Sequence, residues 1–249
     1  MLFEFTPLQL MTTGLLFIWA GFVRSGLGFG GAALGLPLML FVYNQPLYWL
    51  PMIGIHLLFF SGLTLRTRLH NVNWVYLKQA GLFVIPGALI GVFGLISLPN
   101  LWLVTFIYSI TLFYAIIWML NIQLHSNQTW LDRLLLLMGG YVAGISLSGA
   151  PLMVAVFMRN ITASQLRNTM FVLWFILVSM KLATLSAFGF TLYAFDALLL
   201  LPVAAIGHFI GLRAHDAILQ NDRRFKQILG GALSIICLLG LYNAFVITA

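Results

Sequence analysis

Six stretches of about 20 mainly apolar residues run along this chain, the length a helix needs to cross the hydrocarbon core of a bilayer. They are Tyr48–Leu65, Leu77–Ser97, Leu101–Asn121, Arg167–Ala187, Ala194–Leu212 and Ile228–Thr248. Charge to cover a water-facing surface is lacking. Apolar residues make up 62% and charged residues 7%, against roughly 25% charged in ordinary soluble domains. The mean hydropathy of +1.04 agrees. The chain is therefore expected to be an all-α integral membrane protein with the lipid bilayer as its main solvent. Trp49, Trp74, Trp102 and Trp130 fall near span ends, where amphipathic aromatics favour the interface.

The net charge of +7 reads as basic loops held at the cytoplasmic face rather than as a nucleic-acid footprint. The single cysteine, Cys237, lies in an apolar run and provides neither a disulfide nor a metal cluster. Residues 1–7 contain Glu4 and no Lys or Arg, so the positive start of a cleavable signal peptide is missing. The first apolar segment is expected to stay in the mature protein.

Two further regions are apolar but interrupted. Leu8–Tyr43 is broken by Arg24-Ser25-Gly26-Leu27-Gly28-Phe29-Gly30-Gly31, and Leu131–Met158 by Gly144-Ile145-Ser146-Leu147-Ser148-Gly149-Ala150-Pro151. A shift of 118 residues lays Gly26–Ala32 over Gly144–Ala150. A second match, at a shift of 116, lays Pro86-Gly87-Ala88-Leu89-Ile90-Gly91 over Pro202-Val203-Ala204-Ala205-Ile206-Gly207. Two matches in the same order predict an internal repeat, with halves at residues 1–124 and 125–249.

Charge sets the orientation of the halves. With the Arg66/Arg68/Lys78 loop and the Arg213/Arg223/Arg224/Lys226 loop both inside, the helices carrying Pro86 and Pro202 run in opposite directions. That is an inverted repeat, and it needs an odd number of crossings per half. Each half is then a broken helical hairpin, entering and leaving on one side, plus three transmembrane helices. Arg133, Arg159 and Arg167 also fall inside, so ten of the twelve basic residues are cytoplasmic. Both termini are expected outside a bacterial inner membrane.

Paired interrupted helices in inverted repeats point to a transporter's binding site. Gly and Ser let the backbone leave the helix, and the N–H groups freed at a half-helix start can hold an anion. Arg24 precedes the first break and Lys181 sits mid-span. A basic side chain at the bilayer centre costs about 2.5–3.5 kcal/mol on insertion scales, so a substrate-facing role is the working hypothesis for each. Ser61 and Ser179, also 118 apart, are candidates to line the same cavity. Asp196 is the one acid near a span, at an external end. His56 and His208 are read as hydrogen-bonded structural histidines, with proton relay as the alternative.

Enzymatic readings lack their context. Gly26-x-Gly28-x-x-Gly31 matches a dinucleotide fingerprint without its flanking strand or downstream acid. Gly144-Ile145-Ser146-Leu147-Ser148 misses the nucleophile elbow at its fifth position. Neither a carboxylate pair nor a His/Asp metal cluster is visible, so no enzyme activity, metal or cofactor is expected.

The order of these parts resembles the sulfite exporter TauE/SafE family over nearly the whole chain. The resembling features are Gly28-Phe29-Gly30-Gly31 with Pro37, its Gly144–Pro151 counterpart and the Ser61 span. Leu69-His70-Asn71-Val72-Asn73-Trp74 and the Pro86–Gly94 helix complete the set. The resemblance implies export of small sulfur-containing or organic anions, and carries the family's glycines onto Gly28, Gly30, Gly31 and Gly149. The chain departs from the pattern with Ala32 after Gly31, and with Ser146, Ser148 and Ala150 at places that are often Gly.

The expected function is a secondary transporter working by alternating access, with the anion between the hairpin tips. Backbone N–H groups, Ser61, Ser146 and Ser148 would hydrogen-bond it, and Lys181 or Arg24 would balance its charge. A channel-like anion pore and a non-transporting membrane assembly scaffold are the alternatives. The oligomeric state is left open, a homo-oligomer included.

Overall fold

The computed structural model describes residues 2–27, 31–66, 68–122, 128–220 and 222–246. Among the described residues ten α-helices carry the fold and no strand occurs. In chain order they are α1 (Pro7–Leu27), α2 (Gly31–Val42), α3 (Pro46–Leu65), α4 (Trp74–Ser97) and α5 (Asn100–Met119). The second half continues with α6 (Thr129–Ser146), α7 (Ala150–Asn160), α8 (Ala163–Ala187), α9 (Ala194–Gln220) and α10 (Asp222–Val246). Helices α3, α4, α5, α8, α9 and α10 are each long and apolar enough to cross a membrane, and they are the six stretches expected from hydropathy. The chain is a multi-pass membrane protein.

Local chemistry sets several helix starts. At α1, the Thr6 hydroxyl accepts from Gln9 N–H at 3.3 Å while the Gln9 side chain accepts from Thr6 N–H at 3.0 Å. Such a reciprocal cap satisfies two first-turn donors, and Pro7 takes the first helical position, where a missing N–H costs nothing. At α4, Asn73 Oδ1 accepts from Tyr76 N–H at 3.0 Å.

The interrupted regions are hairpins. Trp19 Nε1, just past the middle of α1, donates to Leu34 O at 3.3 Å, and Gln9 Nε2, near its start, donates to Val42 O at 3.2 Å. Helix α2 thus runs back along α1 to the level where α1 began. In the second hairpin, Arg159 at the end of α7 pairs with Asp132 at the start of α6 at 2.9 Å. The return arms have 12 and 11 residues, about 18 and 17 Å at 1.5 Å per residue, against a core of about 30 Å.

The chain divides into two compact units. The first comprises Met1–Leu50, Leu98–Ile122 and Tyr193–Ala249, and the second Pro51–Ser97 and Gln123–Leu192. Both draw helices from each half of the sequence. In the first unit α1 lies on α9, α5 on α10, and α2 against α1, α5 and α10. There Asp196 is buried and accepts from Leu2 N–H at 3.3 Å and Tyr48 Oη at 3.4 Å, tying down the short N-terminal 3-10 turn. In the second unit α4 lies on α6, with α7 and α8 beside them.

Glycine makes the main seams. A β-carbon on Gly207 of α9 would stand 1.8 Å from Ile18 O of α1, and one on Gly211 would stand 2.4 Å from Phe22 O. In the second unit the same test puts Gly87 of α4 2.1 Å from Leu137 O of α6, and Gly91 2.2 Å from Tyr141 O. Lipid tails are as apolar as leucine, so close van der Waals approach through small residues is what holds membrane helices together. Gly87 and Gly91 on α4 and Gly207 and Gly211 on α9 are thus spaced alike, one turn apart, along the two seams.

Candidate functional site

The second break is fully described. Helix α6 ends at Ser146, and Leu147 follows with φ 58° and ψ 19°. A left-handed turn at a residue with a β-carbon costs about 1–2 kcal/mol; here it is held in place by burial of the leucine side chain. Gly149 has an ordinary φ of −71°. It is required for space: its β-carbon would lie 1.9 Å from Gly139 O. The glycine expected to free the backbone thus lets the two arms touch, and a leucine makes the turn.

Ser146 and Ser148 are buried in this turn. Ser146 Oγ donates to Val142 O at 3.0 Å and lies 2.5 Å from Ser148 Oγ. A hydroxyl has one proton, so with that of Ser146 on Val142 O, Ser148 is the donor of the second bond. Both hydroxyl protons are therefore engaged within the turn, and Ser148 has only to release Ser146 to donate elsewhere.

Lys181 enters from α8. It is 1% exposed, and its Nζ donates to Ile145 O at 3.3 Å. That carbonyl is among the last four of α6, which have no partner within the helix and carry the negative end of its dipole. Among the described residues no carboxylate forms an ion pair with Lys181; the pair seen in this unit is Arg159–Asp132. An ammonium has three donors, and one weak bond leaves most of its lost hydration unreplaced. At the start of α7 the first-turn N–H groups, those of Ala150 and Leu152 among them, have no helical acceptor, and Pro151 has none to offer. A positive side chain and a positive helix end thus flank one short turn.

The other expected site residues separate. Ser61 is buried on α3 and Ser179 half-buried on α8, both in the second unit. Ser179 precedes Lys181 by two positions, which puts it on another face of its helix. Arg24 and Gly31 belong to the first unit, where Gly31 leaves room for Arg24: an added β-carbon would lie 3.0 Å from Arg24 Cβ. Gly28 and Gly30 lie outside the described residues.

One pairing escaped the sequence reading. Ser25 Oγ and His208 Nδ1 lie 2.5 Å apart, both residues buried in the seam between α1 and α9. His208 is hydrogen-bonded as expected, but nothing in the sequence links it to a serine 183 positions away. In the second unit, His56 is buried on α3 near the Phe60 ring. No group of three or more His, Cys, Asp or Glu residues able to hold a metal occurs among the described residues.

A family model for the sulfite exporter TauE/SafE matches residues 13–240. The chain belongs to that family. The match runs from within α1 to within α10, so it takes in both breaks, Lys181 and the Ser25–His208 pair. No curated protein and no solved structure matched the chain. Membership of TauE/SafE makes it a membrane protein of the transporter type.

Proposed function

We propose that this TauE/SafE protein exports a small sulfur-containing or organic anion, of the sulfite or sulfonate type, and binds it at the α6–α7 turn. Lys181 carries the reading. A buried ammonium with no carboxylate partner among the described residues leaves much of a desolvation cost of several kcal/mol uncompensated, and an anionic ligand beside it offsets that cost. The ligand takes the N–H bonds of Lys181 that Ile145 leaves unused, the first-turn amides of α7, and the hydroxyl of Ser148 as it leaves Ser146. Oxyanions suit this set, since each oxygen accepts several hydrogen bonds.

Transport proceeds by alternating access in an inverted repeat, with both termini outside a bacterial cytoplasmic membrane. The like construction of the α1–α9 and α4–α6 seams supports that symmetry, and the crowding of basic residues into a few loops supports the sidedness. An inside-negative potential of 100 mV favours exit of a monoanion by about 2.3 kcal/mol, so export is downhill at equal concentrations.

The test is thermal stabilisation of detergent-purified protein by sulfite, sulfate, thiosulfate, sulfoacetate, taurine and short carboxylates at matched ionic strength. Selective stabilisation by one of the sulfur oxyanions, absent in Lys181→Met, is expected. A flat response across the panel, or a response that survives in Lys181→Met, contradicts the assigned site.

A further inference from the structure

We propose that His208 and Ser25 form a proton-binding site that couples proton movement to the anion transport proposed above, on which this inference rests. The seam they occupy has an internal control. His208 follows Gly207 as Ala88 follows Gly87, and Ser25 lies three residues after Phe22 as Gly144 lies three after Tyr141. In the second unit the seam closes on Ala88 and Gly144, with the β-carbon position of Gly144 2.3 Å from Ala88 O. Packing two helices this closely therefore requires only small, apolar residues. The first unit instead places an imidazole and a hydroxyl there, buried to 6% and 3% exposure and hydrogen-bonded to each other. Burying polar groups costs free energy unless they are paired, so a pair that packing does not need points to chemistry.

The chemistry available is protonation. An imidazole has an unperturbed pKa of about 6.5, which makes it the side chain that titrates across the physiological range. The serine partner suits both charge states. With the ring neutral and its proton on Nε2, Ser25 donates to Nδ1. With the ring protonated, Nδ1–H donates to Ser25 Oγ. Uptake of one proton with rotation of one hydroxyl converts the first arrangement into the second, and no heavy atom of the seam has to move. The site gains one proton and one positive charge when the imidazole takes a proton from water on one side, and returns both when it releases the proton on the other.

Among the described side chains, the charged and titratable groups on α1, α9 and α10 are these. On α1 there is Arg24, adjacent to Ser25. Along α9 itself Asp196 lies about three turns before and Arg213 more than one turn after. On α10, Arg223, Arg224 and Lys226 occupy the first turns, and Cys237 and Tyr242 lie further along. Lys181 is in the second unit, so the proton site and the proposed anion site occupy different units, as two coupled ligands of an alternating-access carrier can.

Two readouts test the pair separately from the anion site. In the first, full-length protein labelled with 13C in its histidine rings is titrated in detergent, and the resonance missing from His208→Ala is followed. It is expected to titrate within the pH range over which the protein stays folded, with its midpoint displaced in Ser25→Ala. A resonance that does not titrate in that range, or a midpoint unmoved by Ser25→Ala, overturns the assignment. In the second, proteoliposomes are loaded with thiosulfate, whose charge is constant across the neutral range, and efflux is followed with and without an imposed pH gradient. The wild type is expected to respond to the gradient, and His208→Ala to lose the response while downhill efflux persists. An unchanged gradient response in His208→Ala overturns the coupling and leaves the Lys181 site standing. Should His208→Ala not fold, Ser25→Ala serves in its place, with a displaced pH dependence as the supporting result. Failure of the wild type to move any anion of the panel removes both proposals together.

Discussion

Lys181 and Arg159 show how differently two basic residues of one unit are accommodated. The Arg159 side chain is 40% exposed and pairs with Asp132, an arrangement worth at most about 1 kcal/mol. Arg159→Ala should therefore leave thermal stability nearly unchanged, which a melting curve in detergent checks. Lys181 is enclosed, and among the described residues its hydrogen bond goes to one carbonyl. Lys181→Met removes a buried charge while keeping an unbranched side chain of similar length, so the protein should fold and melt at least as well as the wild type. If Lys181 instead held the fold together, the substitution would lower the melting temperature by many degrees. The depth of Lys181 was legible from its distance to either end of its span. Its contact with α6 was not, because Ile145 and Lys181 are 36 positions apart and no local pattern joins them.

Among the helices, the seams make the sharpest predictions. Gly207→Ala drives a methyl into the Ile18 carbonyl, a backbone atom that cannot move aside. Overpacking of this kind costs about 1–3 kcal/mol, and a lowered melting temperature with poorer recovery from the membrane is expected. Gly231 on α10 is the control, since nothing lies within 4 Å of its β-carbon position. Gly231→Ala should be neutral or stabilise by up to about 1 kcal/mol through helix propensity. The spans and the two breaks could be read in advance, because length and a run of Gly and Ser are local signals. The pairing of α1 with α9 and of α4 with α6 could not. Every span is apolar on most of its surface, so hydropathy does not say which face meets which helix. The glycines that decide it, Gly207 and Gly87 among them, meet carbonyls far away in sequence. The same nonlocality hid the Ser25–His208 pair altogether.

At the scale of the whole molecule, sidedness and flux are what the transporter must show. Sidedness is tested in a Cys237→Ala background with one cysteine introduced at a time. A cysteine at Phe3, which is 78% exposed, should react with a membrane-impermeant maleimide added to intact cells. One at Arg68 or Arg224 should react only after the cells are opened. The reverse pattern would turn the molecule over and make its basic loops external. Flux is the more direct test of what the TauE/SafE chain does. Proteoliposomes holding wild-type protein should release sulfite or a related sulfur oxyanion along its gradient, at a rate that saturates with internal concentration. Those holding Lys181→Met, in equal amount and with an unchanged melting curve, should release it no faster than empty liposomes. Wild-type rates in the Lys181→Met liposomes would contradict the central claim that this buried lysine holds the transported anion.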